Sequence, residues 1–156
     1  MIVAYVSGHG YGHATRTAEV LRVVRALAPG QPLAIVSQAP AWLFEQALPG
    51  GFELRPRPVD VGLAQHGALS IDEAGTAARW REFAAGLPAR VREEAAWLRS
   101  VGARAVLGDV PPLAFAAAAE AGVRSVAVAN FSWDWIYRHL GGRQPILAEA
   151  AEEAAR

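Results

Sequence analysis

Residues 2–7 read IVAYVS, a β-branched run that is apolar without alternation and is followed at once by glycine. A strand with one wet face alternates apolar and polar residues, whereas an unbroken apolar strand is covered on both faces. Similar runs return at LAIVS (33–37), RAVLGD (104–109) and RSVAVANF (124–131). FELRPRPVDVG (52–62) alternates and carries proline, which fits a short strand fading into an extended edge.

Helical spacing fills the intervals. The apolar positions of 13–27 recur three and four apart and stop at APGQP. Residues 39–48 open on proline and close on PGG. Residues 63–70 read as a loop, and 71–100 as helix with a break near Leu87-Pro88. Residues 111–122 carry proline in the first turn and glycine after the last, SWDWIYRHL opens a short helix, and PILAEAAEEAAR a final one. Strands alternating with helices predict an α/β fold, a Rossmann-like doubly wound parallel sheet. The expected division is one domain over 1–140 and a terminal helical segment, 141–156, leading into a further domain.

Composition removes several functions. Formal net charge is zero, so no nucleic-acid partner is expected. No apolar run is long enough to span a membrane and no leader pattern opens the chain, which places the expected location in the cytoplasm. All fifteen basic side chains are arginine. Without lysine there is no Schiff-base chemistry on Lys and no Walker-type phosphate loop. Without cysteine there is no thiolate nucleophile or thiolate metal site.

The turn after the first strand, SGHGYGHATR, concentrates the chemistry. Its glycines, Gly8, Gly10 and Gly12, are spaced G-x-G-x-G, whereas a dinucleotide fingerprint needs G-x-G-x-x-G and an acid after the second strand. That strand ends Val36-Ser37-Gln38, so no nicotinamide or flavin cofactor is expected. The glycines still suit a tight turn that lets a ligand approach the backbone, and the following helix start, with Arg16 in its first turns, favours an anion. A turn that merely needed positive φ would read the same way. His9 and His13 are four apart, but Gly10 and Gly12 oppose a regular helix between them, and no metal is expected.

His13 lies at the mouth of the sheet, placed to act as a base. Asp109 ends the fourth strand in VLGDVPP, on the same carboxyl rim. A carboxylate beside an imidazole orients it, the His–Asp half of a triad, and no Ser elbow supplies a nucleophile. Asp109 could equally cap the next helix. On the same rim, NFSWDWIY (130–137) offers polar Asn130, Ser132 and Asp134 beside aromatic faces, a combination suited to a sugar-like ligand. Trp135 and Ile136 are expected to seat the last helix on the core.

SGHGYGHATR, LGDVPPLAFAAAAEAGVRSVAVANFSWDWIY and the order between them resemble the N-terminal, glycosyltransferase-like domain of the L-arabinokinase family and its bacterial relatives. The likeness runs from Ile2 to about Tyr137, with a looser similarity to GT-B glycosyltransferases generally. It implies the N-terminal half of a GT-B fold that handles the acceptor in transfer of a sugar from a nucleotide sugar to a hydroxyl. By the same resemblance His13 is the base on the acceptor hydroxyl and Asp109 its partner. Gly8, Gly10, Gly12 and Arg16 border the donor diphosphate, and Asn130 and Asp134 face the acceptor. GT-B enzymes hold the donor mostly in a second Rossmann domain, so the expected partner is a C-terminal donor-binding domain or chain. Two rivals stay open: a non-catalytic sugar or nucleotide-sugar binding module that regulates a fused enzyme, and an inactive fragment.

Overall fold

The structure is a computed structural model that describes residues 1–67, 69–142 and 144–155. Ala68, Arg143 and Arg156, which fall in the expected loop and terminal segment, lie outside the described residues. In chain order the elements are β1 (Ile2–Val6), α1 (Tyr11–Leu27), β2 (Leu33–Val36), α2 (Trp42–Glu45), β3 (Glu53–Arg55) and α3 (Glu73–Ser100). They continue as β4 (Ala105–Asp109), α4 (Pro112–Ala121), β5 (Arg124–Ala127), α5 (Trp133–Gly141) and α6 (Pro145–Ala154).

All five strands pair in parallel in the order β3-β2-β1-β4-β5. Parallel neighbours need crossovers, and the helices supply them on both faces, a Rossmann-like arrangement. On one face Ala4, Val6, Leu33 and Ile35 pack under α1 (Ala14, Ala18, Leu21) and the α2 region (Leu43, Phe44). On the other, Val3, Tyr5, Ala34, Val36 and Val106 pack under α3 and α4 (Leu98, Ala114, Ala117, Ala118). A third cluster joins the first half of α3 to α5 and α6 through Trp80, Phe83, Trp133, Tyr137 and Leu147.

The unbroken apolar runs are explained at β1 and β2, whose apolar residues are buried from Val3 to Val6 and from Leu33 to Val36. β5 departs from the pattern: it is an edge strand, all four of its residues are exposed, and Val126 keeps 53% of its surface. The expected break at Leu87-Pro88 is absent, because α3 runs through Pro88 for 28 residues. An internal proline costs about 3 kcal/mol. Trp80, Phe83 and Leu87 before it, and Ala95 and Leu98 after it, bury one continuous face that outweighs that cost.

Candidate active site

Because β1, β4 and β5 are parallel neighbours, their carboxyl ends lie side by side. The turns leaving them bring three distant stretches of chain together. His13, in the first turn of α1, places Nδ1 3.1 Å from Oδ1 of Asp109, the last residue of β4. Asp109 is only 1% exposed. Its Oδ2 accepts from the Thr17 hydroxyl at 2.8 Å, and its Oδ1 also accepts from the Arg16 guanidinium. Arg16 donates in addition to Oδ1 of Asn130 at 2.7 Å, which ties the α1 start to the turn after β5. The Phe131 ring stands edge-on to His13 with centroids 5.6 Å apart.

Burial pushes the Asp109 carboxyl up, but hydrogen bonds from His13, Arg16 and Thr17 together outweigh it and hold the group below its usual value. Asp109 is therefore a carboxylate at neutral pH. A carboxylate facing Nδ1 holds the proton on that nitrogen, and Nε2 is left to accept one. Asp109 does not cap the next helix: the residue before α4 is Pro111, and no side chain caps it. Between them sits Val110 with φ 75°, the one non-glycine residue with positive φ among those described. Strain at a β-branched residue is tolerated only where the surroundings over-determine it. Here it lies in the two-residue turn that leaves Asp109 facing His13.

The glycines divide by role. Gly10 has φ 84° and forms the N-cap of α1, where no side chain satisfies the first N–H groups. A Cβ on Gly12 would meet nothing within 4 Å, so the backbone of the first turn is open. Gly8 packs instead against the end of β2, since a Cβ there would lie 3.3 Å from that of Gln38. Asp134, in the first turn of α5, faces Arg138 at 3.5 Å and lines an open cavity of about 520 Å³ with Asn130, Phe131, Ser132 and Trp135. Trp135, expected in the core, is 69% exposed at this cavity. In α5, Trp133, Tyr137 and Leu140, spaced four and three apart, take the buried face, and Ile136 packs partly against it.

Sequence reasoning missed a second acid on the rim. Asp60, in the chain between β3 and α3, accepts from Trp133 Nε1 at 2.8 Å and from Ser7. Its enclosure raises the carboxyl above its ordinary value despite those two bonds. His9 belongs to this second group. Its ring meets Trp133 edge-on at 5.7 Å and packs so closely on Gly62 that a Cβ there would lie 2.6 Å from it. Burial lowers the His9 imidazole. An acid just past the end of β3 was the available signal, obscured because Pro56 and Pro58 made that stretch read as a fading edge. His66 pairs with Asp72 at 3.4 Å in the open, away from both groups.

Among the described residues no three His, Cys, Asp or Glu side chains gather as a metal site, and no helix is long and apolar enough to cross a membrane. No protein-family profile matches the chain. Over 135 residues it is 42% identical to L-arabinokinase of Arabidopsis thaliana, an alignment that spans 85% of this chain and 13% of that protein. The chain thus matches a small part of that relative's length.

Proposed function

We propose that this α/β unit is the acceptor-side half of a GT-B glycosyltransferase that moves a sugar from a nucleotide sugar to a hydroxyl. The observation that carries the reading is the His13–Asp109 pair, 3.1 Å apart at the carboxyl rim. His13 Nε2 takes the proton of the acceptor hydroxyl as its oxygen attacks the anomeric carbon. The bond from that carbon to the diphosphate breaks, and its electron pair leaves with the nucleoside diphosphate. Asp109 stabilises the imidazolium that results. Gly10 and Gly12 leave the first N–H groups of α1 open to the diphosphate. Arg16 lies along the same path while holding Asp109 and Asn130. The cavity at Asn130, Asp134 and Trp135 receives part of the acceptor. A donor-binding domain or chain completes the site.

A general base within reach of its proton contributes about 10² to 10⁴ in rate. His13→Ala is expected to lower turnover by that order, measured in a form that carries the donor-binding half, with an unchanged circular dichroism spectrum. Full activity with alanine at 13 overturns the mechanism.

The second reading is a sugar or nucleotide-sugar binding module serving a larger enzyme. It is favoured by the match to a small part of a protein that is a sugar kinase by name. Titration with UDP-sugars that raises the melting temperature without any transfer would support it.

A further inference from the structure

Behind His9, on the side of the rim away from β5, a cleft of about 320 Å³ opens between the end of β2, the chain before α3, and α3 itself. Gln38, Asp60, Arg79, Glu82, Phe83 and Arg90 line it. Arg79 and Arg90 are eleven positions apart, three helical turns, so they differ by only about 20° around α3. Arg90 folds back toward the start of the helix. Its guanidinium lies over the Phe83 ring at 5.0 Å, and its Nε lies 3.3 Å from where a Cβ on Gly86 would stand. Both cations thereby reach one cleft. Neither forms an ion pair or hydrogen bond within the described residues, and the Nε of Arg90 is buried with no partner.

The two guanidiniums line one cleft without an anionic partner there, and a bound oxyanion would supply the charge-assisted hydrogen bonds that they lack. Two acids share the lining but leave the cations unpaired. Glu82 is exposed and makes no pair with either arginine, and Asp60 is engaged by Trp133 and Ser7. Asp60 is also the link to the site. It lines the cleft, and through Trp133 it borders His9.

We propose that this cleft binds an oxyanion, a carboxylate or a phosphate, through Arg79 and Arg90. As the anchor of a negatively charged acceptor whose hydroxyl reaches His13, it rests on the glycosyl-transfer reading; as an anion site it does not. The test is calorimetric titration of the whole chain at fixed ionic strength with inorganic phosphate, glucuronate and glucose. Saturable binding of phosphate or of glucuronate is expected, whichever matches the anion, with none for glucose. Arg79→Gln and Arg90→Gln are each expected to weaken it at least about tenfold, the loss of one charge-assisted contact. Arg81→Gln, on the exposed face of α3, should leave it unchanged. Arg79 is itself exposed, so Arg79→Gln keeps the test valid even if Arg90→Gln disturbs α3. No saturable binding of either anion, equal affinity in Arg79→Gln and the parent, or glucose binding as tightly as glucuronate would each overturn the proposal. His13→Ala separates the two readings: in a form that carries the donor-binding half it should lower turnover by about 10² to 10⁴ and spare anion binding. Anion binding without any transfer activity in the form that carries the donor-binding half sinks the glycosyl-transfer reading alone.

Discussion

At the scale of single residues, two acids on one rim are held in opposite senses. Asp109 is surrounded by three donors and stays ionised, whereas Asp60 is enclosed with less compensation and its carboxyl is raised. Linkage gives the sign for each. Asp109, lowered, adds stability that is present above the unfolded value near pH 4 and is lost as pH falls through its folded value. Asp60, raised, binds its proton more tightly when folded, so stability declines as pH rises from the unfolded value through the folded one. Asp60→Asn keeps an oxygen for Trp133 and removes the enclosed charge. It is expected to be more stable than the parent at pH 7.5 and no more stable below about pH 4, the unfolded value, read from urea unfolding at both. Greater stability of the parent at pH 7.5 would show that the charge is compensated. His13, Asp109 and Asn130 were all legible before folding, because a βα turn and two strand ends in a parallel sheet must share a rim. Asp60 was not, since nothing local marks which side of a proline-rich stretch turns inward.

At the scale of elements, propensity and packing disagree most openly in α3. Proline at 88 removes an amide donor from the ladder, and the local rule predicts a break. The helix persists because its buried face on both sides of Pro88 belongs to two different clusters, one with α5 and α6 and one with the sheet. Pro88 is exposed, so replacing it costs no packing. Pro88→Ala gains about 3 kcal/mol of helix propensity and gives back up to about 1 kcal/mol through a freer unfolded chain. A net gain of about 2 kcal/mol is expected, visible as a higher melting temperature. A lower one would mean that the helix geometry at 88 is needed by its neighbours. The short helix α5 shows the converse lesson. Its aromatic residues were legible as a group, but which side of the helix meets the core, that of Trp133 and Tyr137 rather than that of Trp135, was decided by packing.

For the whole molecule, the sheet is unevenly covered. β1, at its centre, has four residues with no exposed surface, and β5, at its edge, has none buried. Opening β1 requires taking apart both layers, whereas β5, paired on one side to β4 and touched by α4, keeps all four residues exposed. Amide exchange should therefore be slowest in β1 and faster in β5 by more than about a hundredfold. Equal protection across the sheet would mean that β5 is covered in solution. The two chemical groups sit where this architecture brings chain ends together: His13 with Asp109 above β1 and β4, and Asp60 with Arg79 and Arg90 on the β2–β3 side.

The sequence by itself determined the alternation of strand and helix, the parallel sheet and the rim on which His13 and Asp109 meet. Those follow from local periodicity and from the handedness of crossovers, which any chain with this pattern obeys. Only the tertiary structure decided that α3 survives Pro88, that Trp133 rather than Trp135 turns inward, and that Asp60, Arg79 and Arg90 share a cleft. Those outcomes depend on contacts between elements far apart in the chain, where burial of a common face outweighs what any short stretch prefers.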